Sequence, residues 1–332
     1  MLKYRVLVME EQPPNLGSNL LELAKELYRI GLDCHREGKF MQGIEALERS
    51  LATYQQLANK GPEDYLHERF QVWFNLGKCY RATKRTQEAI WSFGESLKIV
   101  RQLSATQPDY YLRWVAMTLF EFASLHQDIG QEKEAEALCL EAINIYRQLG
   151  PDFLAHMGEV LMQLGDLYLN QKKYQEAEPA CLEALQIART RNFMAPNGGL
   201  LTYACKVLSD LGHIHNLTGR KAQAAQFYLE AISFSRRLAE EDPYYAFWYA
   251  AMLENMGSFY GGIEQLSYAE PFFDQALQLY RVLCEKSPRY LSALSMVLKN
   301  LIHLYDLTGR PAQAETARRE LEAIARGQSA SQ

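Results

Sequence analysis

Apolar residues recur at helical spacing along nearly the whole chain, and the helical pattern itself repeats. A glycine, or a small or apolar stand-in, is followed twelve residues later by an alanine or glycine seven times: Gly31/Gly43, Gly77/Ala89, Ala123/Ala135, Gly165/Ala177, Gly212/Ala224, Gly257/Ala269 and Ile302/Ala314. Successive first members are 46, 46, 42, 47, 45 and 45 residues apart. A fixed period of this length marks a solenoid, in which each unit buries its apolar face only against its neighbours. Each unit reads as two amphipathic helices. The first carries apolar residues four and one positions before the glycine column, such as Trp73/Leu76, Leu119/Phe122 and Leu253/Met256. Three positions after the column come Cys34, Tyr80, His126, Tyr168, His215, Tyr260 and Tyr305. These spacings lie along one helical face. A glycine costs a helix up to about 1 kcal/mol relative to alanine, so its return in five of seven units predicts close approach of the neighbouring helix.

The second helix carries an apolar or aromatic residue four after the alanine column: Leu47, Phe93, Cys139, Cys181, Tyr228 and Phe273. Small residues follow three positions on, from Ser50 and Ser96 to Ala231 and Ala276, which predicts knobs and grooves for a partner helix. Proline and then an aromatic mark most junctions: Pro62 and Tyr65, Pro108 and Tyr110, Pro151 and Phe153, Pro243 and Tyr244, Pro288 and Tyr290. Proline ends one helix and the aromatic is expected to re-enter the core. Arg191 to Gly199 replaces that junction and reads as a loop and candidate hinge. In the last unit Arg318 stands where an aromatic belongs, with Arg319 and Glu320 beside it, as a polar terminal cap requires. Gly261-Gly262 reads as a helix end.

The expected architecture is therefore all-α, an α-α superhelix of about seven helix-turn-helix repeats and about fourteen helices. The array spans 18–326, with repeats near 18–65, 66–110, 111–153, 154–199, 200–245, 246–290 and 291–326. Residues 1–17 form an extension of unknown structure, and 327–332 a flexible tail.

Composition changes this picture little but narrows the partners. A hydrophobic content of 48% suits a buried core, and a net charge of −5 argues against a duplex nucleic-acid partner. No apolar run approaches the roughly 18–20 residues of a membrane span, so no membrane insertion is expected. The first residues offer only the short apolar stretch Val6–Met9, against about 7–15 in a secretory signal. Six cysteines without a CxxC pair suit buried thiols in a reducing compartment. The expected location is cytoplasmic.

Trp73-x2-Leu76-Gly77-x2-Tyr80, followed by Ala89-x3-Phe93, resembles the tetratricopeptide repeat residue for residue. The resemblance covers about Ser18 to Arg326, with repeats longer than the usual 34 residues. Tyr174-Gln175-Glu176-Ala177-Glu178-Pro179 and Tyr268-Ala269-Glu270-Pro271 are similar to the extended repeats of kinesin light chains and related bacterial proteins. The proline fits only if its helix begins about a turn upstream. No heptad coiled coil accompanies the repeats, so the likeness concerns the repeat type and not motor attachment.

The resemblance implies that the first helix of each pair lines a concave groove for a peptide or partner helix. From the helix period, groove positions lie six, three and two before the glycine column and one, four and five after it. Repeats one and two place Lys25, Arg29, Arg36, Lys78 and Arg81 there without an acid. Repeats three to six place Glu121, Asp128, Glu159, Asp166, Asp210 and Glu254 there, with only Lys206 opposing them. This segregation predicts a bipolar groove. One column carries Asn75, Asn255 and Asn300, with Gln163 and Asp210 between and Arg29 and Glu121 breaking it. In kinesin light chains and chaperone clamps, asparagines at the matching place hold a peptide main chain, which an amide does by donating and accepting together. The basic carboxylate clamp of chaperone-binding members is not in the matching positions.

No P-loop, GxSxG or metal-ligand spacing is present, and His126 and His215 read as core histidines making one hydrogen bond. No cofactor, metal or catalysis is expected. The function these signals point to is a non-catalytic adaptor or scaffold binding a protein or peptide; the alternative is a peptide-signal sensor or regulatory subunit acting on a partner in trans.

Overall fold

Fourteen α-helices account for most of the residues described by the computed structural model, namely 16–58, 61, 64–190 and 199–329. In chain order they are α1 Leu16–Arg36, α2 Phe40–Leu57, α3 Leu66–Ala82, α4 Thr86–Thr106, α5 Pro108–Asp128, α6 Glu132–Leu149 and α7 Leu154–Asn170. They continue as α8 Tyr174–Thr190, α9 Gly199–Leu217, α10 Lys221–Glu241, α11 Ala246–Gly262, α12 Leu266–Lys286, α13 Leu291–Leu307 and α14 Pro311–Ser329. No strand occurs among the described residues. Helices α1–α6 belong to one compact unit ending at Phe153, and α7–α14 to a second beginning at Leu154. Most of the expected extension and the candidate hinge from Arg191 lie outside the described residues. The tail expected from Gly327 is helical through Ser329, the last residue of α14.

Each of the seven pairs turns through three residues, and the middle one is always left-handed. These are Gly38, Lys84, Gly130, Lys172, Gly219, Glu264 and Gly309, with φ between 59° and 82°. The next residue's N–H closes back on the carbonyl of the tyrosine column, as in Lys39 to Cys34 at 2.8 Å, Arg85 to Tyr80 at 2.9 Å and Arg310 to Tyr305 at 2.9 Å. This is the Schellman arrangement, which satisfies carbonyls that a helix end leaves without partners. The signal is present in the sequence as a column seven after the glycine column, and only four of its seven members are glycine.

The glycine column makes the close approach expected of it, and the group it meets is a large side chain of the partner helix. A Cβ added at Gly77 would lie 2.8 Å from the Phe93 ring, at Gly212 2.8 Å from Tyr228, at Gly257 2.7 Å from Phe273 and at Gly31 2.5 Å from Leu47. The missing side chain thus makes room for the large residue sixteen positions later, and the partner helix approaches through that knob. Where the knob is Cys139, the column holds Ala123, and both are fully buried. In the last pair the knob is Arg318, which turns out to Asp306 at 2.6 Å and leaves room for Ile302.

Two of the small residues behind the knob also bond: Ser50 Oγ donates to Ala24 O at 2.8 Å and Ser96 Oγ to Phe70 O at 3.3 Å. Pro179 and Pro271 are each sixth in their helices, so α8 and α12 do begin more than a turn upstream. The junction aromatics need one correction. Tyr110 and Tyr244 are exposed, while Tyr111 is buried and Tyr245 half-buried. Pro108 opens α5 directly and Pro243 opens a 3-10 turn, so the second aromatic of each pair is the one directed inward.

Candidate functional site

The odd-numbered helices carry the predicted groove residues. In the first unit the basic residues are not unopposed. Arg29 pairs with Glu26 at 2.5 Å and Asp33 at 3.4 Å, Arg36 with Asp33 at 2.5 Å, and Lys25 with Glu22 at 3.3 Å, all within α1. Glu26 and Asp33 occupy columns where later repeats bury Val72 and Cys79, Thr118 and Leu125, or Val207 and Ile214. The first helix therefore carries a solvated ion network on that face. Lys78 and Arg81 of α3 meet the acids of α5: Lys78 and Arg81 reach Glu121 at 3.4 and 3.3 Å, and Arg81 Nε reaches Asp128 at 2.6 Å. With His35 and Phe40 they line a cleft of about 400 Å³. Burial lowers the pKa of His35 there, helped by the Lys78 charge. Between α3 and α5 the bases and acids thus form pairs one repeat apart, because the columns of adjacent helices meet side by side.

The second unit differs. Lys206 of α9 sits between Asp166 of α7 at 2.5 Å and Asp210 at 2.8 Å. Burial alone would depress the ammonium, but the two carboxylates hold its pKa above the usual range. Burial pushes Asp210 up to about 6, with Asp166 adding to it and Lys206 opposing. Glu254 on α11 is likewise pushed by burial to about 6, although Tyr280 Oη donates to it at 3.3 Å. Two carboxylates share one ammonium here.

The amide column also divides. Asn75 Nδ2 donates to Tyr28 Oη at 3.1 Å and to Gln71 O at 2.8 Å, and Asn255 Nδ2 to Ser209 Oγ at 2.8 Å. Gln163 is buried. Asn300 alone of the three asparagines has no hydrogen-bond partner among the described residues. Expecting Asn255 and Asn300 to act alike overlooks the residue three before the preceding glycine, which takes the Asn255 amide. Glu159 is exposed on α7.

The tyrosine column is structural. His126 Nδ1 lies 2.6 Å from Gln131 Oε1, and His215 Nδ1 lies 3.2 Å from Gln223 Oε1. His215 Nε2 is 3.1 Å from Glu178 Oε1 without hydrogen-bond geometry. Arg220 forks onto Glu178 at 2.7 Å through both nitrogens, and Arg310 onto Glu270 at 2.7 and 3.0 Å. The even helices are stitched by Arg101 to Glu141, Arg189 to Glu230 and Arg281 to Glu320, each at 2.6 Å. Sequence reasoning missed this ladder, although arginine twelve after the alanine column and glutamate six after it announced it. Among the described residues no His, Cys, Asp or Glu group could hold a metal ion, and no helix is long and apolar enough to cross a membrane.

Antiparallel helix pairs locked by a small-residue column, a left-handed turn and a recurrent knob define a helical-repeat protein. Family models described as tetratricopeptide repeat match residues 28–108, 115–149 with 206–244, and 158–191, together more than half of the chain. The chain belongs to the tetratricopeptide repeat superfamily. BtubC (BKLC) from P. vanneervenii is similar at 22% identity and a TM-score of 0.62, over 74% of this chain and 92% of its own. A putative kinesin light chain repeat protein of Podosopora anserina matches at 16% identity and TM-score 0.52, over 67% of this chain and 98% of its own. A Rap protein complexed with Competence and Sporulation Factor matches at 18% identity and TM-score 0.51, over 97% of this chain and 78% of its own. No functionally curated protein matches the sequence.

Proposed function

We propose that the chain is a non-catalytic adaptor in a reducing cytoplasm that binds a peptide segment of a partner protein on the odd-helix face of its second unit. The observation that carries this reading is the cluster of Asp166, Lys206 and Asp210, where a half-buried face retains one more carboxylate than ammonium. A purely structural network is expected to balance, because an uncompensated charge removed from water is costly. A lysine or arginine of a bound segment restores the balance, so the favoured ligand is a linear peptide with a basic residue over α7 and α9. The net charge of −5 favours a protein partner over duplex nucleic acid. The thiols suit structure and not nucleophilic chemistry, since burial pushes Cys79 to about 11 and Cys139 and Cys205 to about 12.

Random linear peptides displayed on phage and selected against the full chain test the reading. Peptides carrying lysine or arginine should be enriched. Asp166→Asn should weaken their binding about tenfold at low salt and less at high salt. Enrichment of no peptide, or affinity indifferent to both Asp166→Asn and Asp210→Asn, refutes it.

The match to a Rap protein complexed with Competence and Sporulation Factor favours a second reading, a sensor that closes on a peptide and acts on a partner in trans. Small-angle scattering with and without a selected peptide separates the two: compaction supports the sensor, an unaltered radius the adaptor.

A further inference from the structure

Gly261 and Gly262 do no conformational work. Every pair of helices in this chain turns on a residue seven after the glycine column, and in this pair the left-handed residue is Glu264, at φ 60°. Both glycines close α11 with ordinary backbone angles, three and two residues before Glu264. They are the last two residues of α11, the helix end that the sequence pattern reads there, and the left-handed turn that follows falls on Glu264. The six equivalent places elsewhere carry side chains at both positions, such as Arg81-Ala82, Asn216-Leu217 and Asp306-Leu307. Neither is needed for the turn, so their use lies outside backbone conformation.

That use is space. A Cβ built on either glycine would meet no atom within 4 Å. The gap opens a pocket of about 260 Å³ between α11, α12 and α13. Phe273, Leu266, Leu304 and Leu307 give it an apolar lining, and Asn300, whose amide is uncommitted, stands in its wall. No carboxylate, lysine or arginine lines it. The volume lies below the roughly 300–1,000 Å³ of small-molecule sites, so it suits a single side chain.

We infer that this pocket receives one neutral apolar side chain, of leucine or phenylalanine size, from a bound peptide whose main chain the Asn300 amide holds. An amide can donate to a backbone carbonyl and accept from a backbone N–H at once, which fixes the peptide beside the pocket without reading its sequence. The apolar residue then supplies the selectivity. This inference rests on the peptide-binding reading above and adds the residue class that the peptide must carry at this place.

The test uses the full chain and peptides selected on it from the displayed random library. Gly261→Leu fills the pocket with a side chain at ordinary helical angles, so its thermal midpoint should equal or exceed that of the parent. Its affinity for the selected peptides should fall ten- to a hundredfold, the worth of burying one such side chain. Replacing the peptide's apolar anchor by alanine should cost the same on the parent and nothing further on Gly261→Leu. Asn300→Ala should weaken all selected peptides about tenfold irrespective of their anchor. Peptides that bind Gly261→Leu as they bind the parent, while still depending on Asp166, overturn the pocket and leave the adaptor reading standing. Selection of no peptide at all overturns both.

Discussion

The charged faces of the two units both carry ion pairs between neighbouring odd helices and differ in their sums. Around α3 and α5, two cations, Lys78 and Arg81, meet two carboxylates, Glu121 and Asp128. Around α7 and α9, one ammonium meets two carboxylates, and burial holds Asp210 near 6. The helical framework beneath them is the same in both, with the same glycine, knob and left-handed turn. A column of charges at groove positions therefore carries no functional meaning by itself. What distinguishes a binding face from a structural one is whether its charges are satisfied by the protein's own residues.

If the frameworks are equivalent, breaking them should cost the same in each unit. Gly77→Leu in the first and Gly212→Leu in the second each place a branched side chain where a Cβ alone would lie 2.8 Å from an aromatic ring. Each should destabilise by about 3 kcal/mol, the upper end of overpacking. Chemical denaturation of both variants checks this. A cost at Gly212 under about 0.5 kcal/mol would show that the knob moves aside there and that the frameworks differ.

The charged clusters should respond unequally. Lys206→Met strands two carboxylates and should cost about 2 kcal/mol at pH 8, a partly exposed version of an unpaired buried charge. Lys78→Met leaves Arg81 on Glu121 and should cost less than about 0.5 kcal/mol. Equal losses in denaturant titration would dissolve the contrast between the two faces.

Titration sharpens the same point more gently. Asp210 titrates in the folded state near 6 and unfolded near 3.8. Its folded pKa is the higher, so its contribution is fully present below about pH 4 and is lost as pH rises through 6. Glu254 adds a loss over a similar window. Asp210→Asn should therefore match the parent at pH 4 and exceed its stability by about 1 kcal/mol at pH 8, less than the full shift because Lys206 loses part of its attraction. A parent whose stability climbs steadily from pH 4 to 7, unaltered in slope by Asp210→Asn, contradicts this account.

The repeat columns made the helices, their number and the buried knobs legible, because a side chain sixteen residues on lies within the same pair. The groove was less so. Whether Asn75 is free depends on Tyr28, and whether Lys78 is free depends on Glu121, each roughly one repeat away. The repeat length gives that separation only approximately, and side-chain reach settles the pairing. Asn300 and Asn255 share a column and not a fate, since only Asn255 finds Ser209. The pocket at Gly261 was not legible, because in the sequence Gly261-Gly262 reads only as the end of a helix, which it also is.

The smallest effect tests whether the turns, unlike the charges, are interchangeable between units. Lys84 in the first unit and Lys172 and Glu264 in the second hold φ near 60°, a region glycine enters without the Cβ clash. Gly38, Gly130, Gly219 and Gly309 already fill the other four turns. Substituting glycine at each of the three should raise stability by about 0.5–1 kcal/mol per site, since the relief of the left-handed strain exceeds the added freedom of the unfolded chain. The gains should be equal across the two units and additive, because the three turns lie in the second, fourth and sixth helix pairs, no two of them consecutive. Thermal denaturation of the three single variants and the triple one measures this. A gain at Lys84 with a loss at Lys172 and Glu264 would mean that the second unit's turns are held by their side chains, and that its difference from the first extends beyond the charged face.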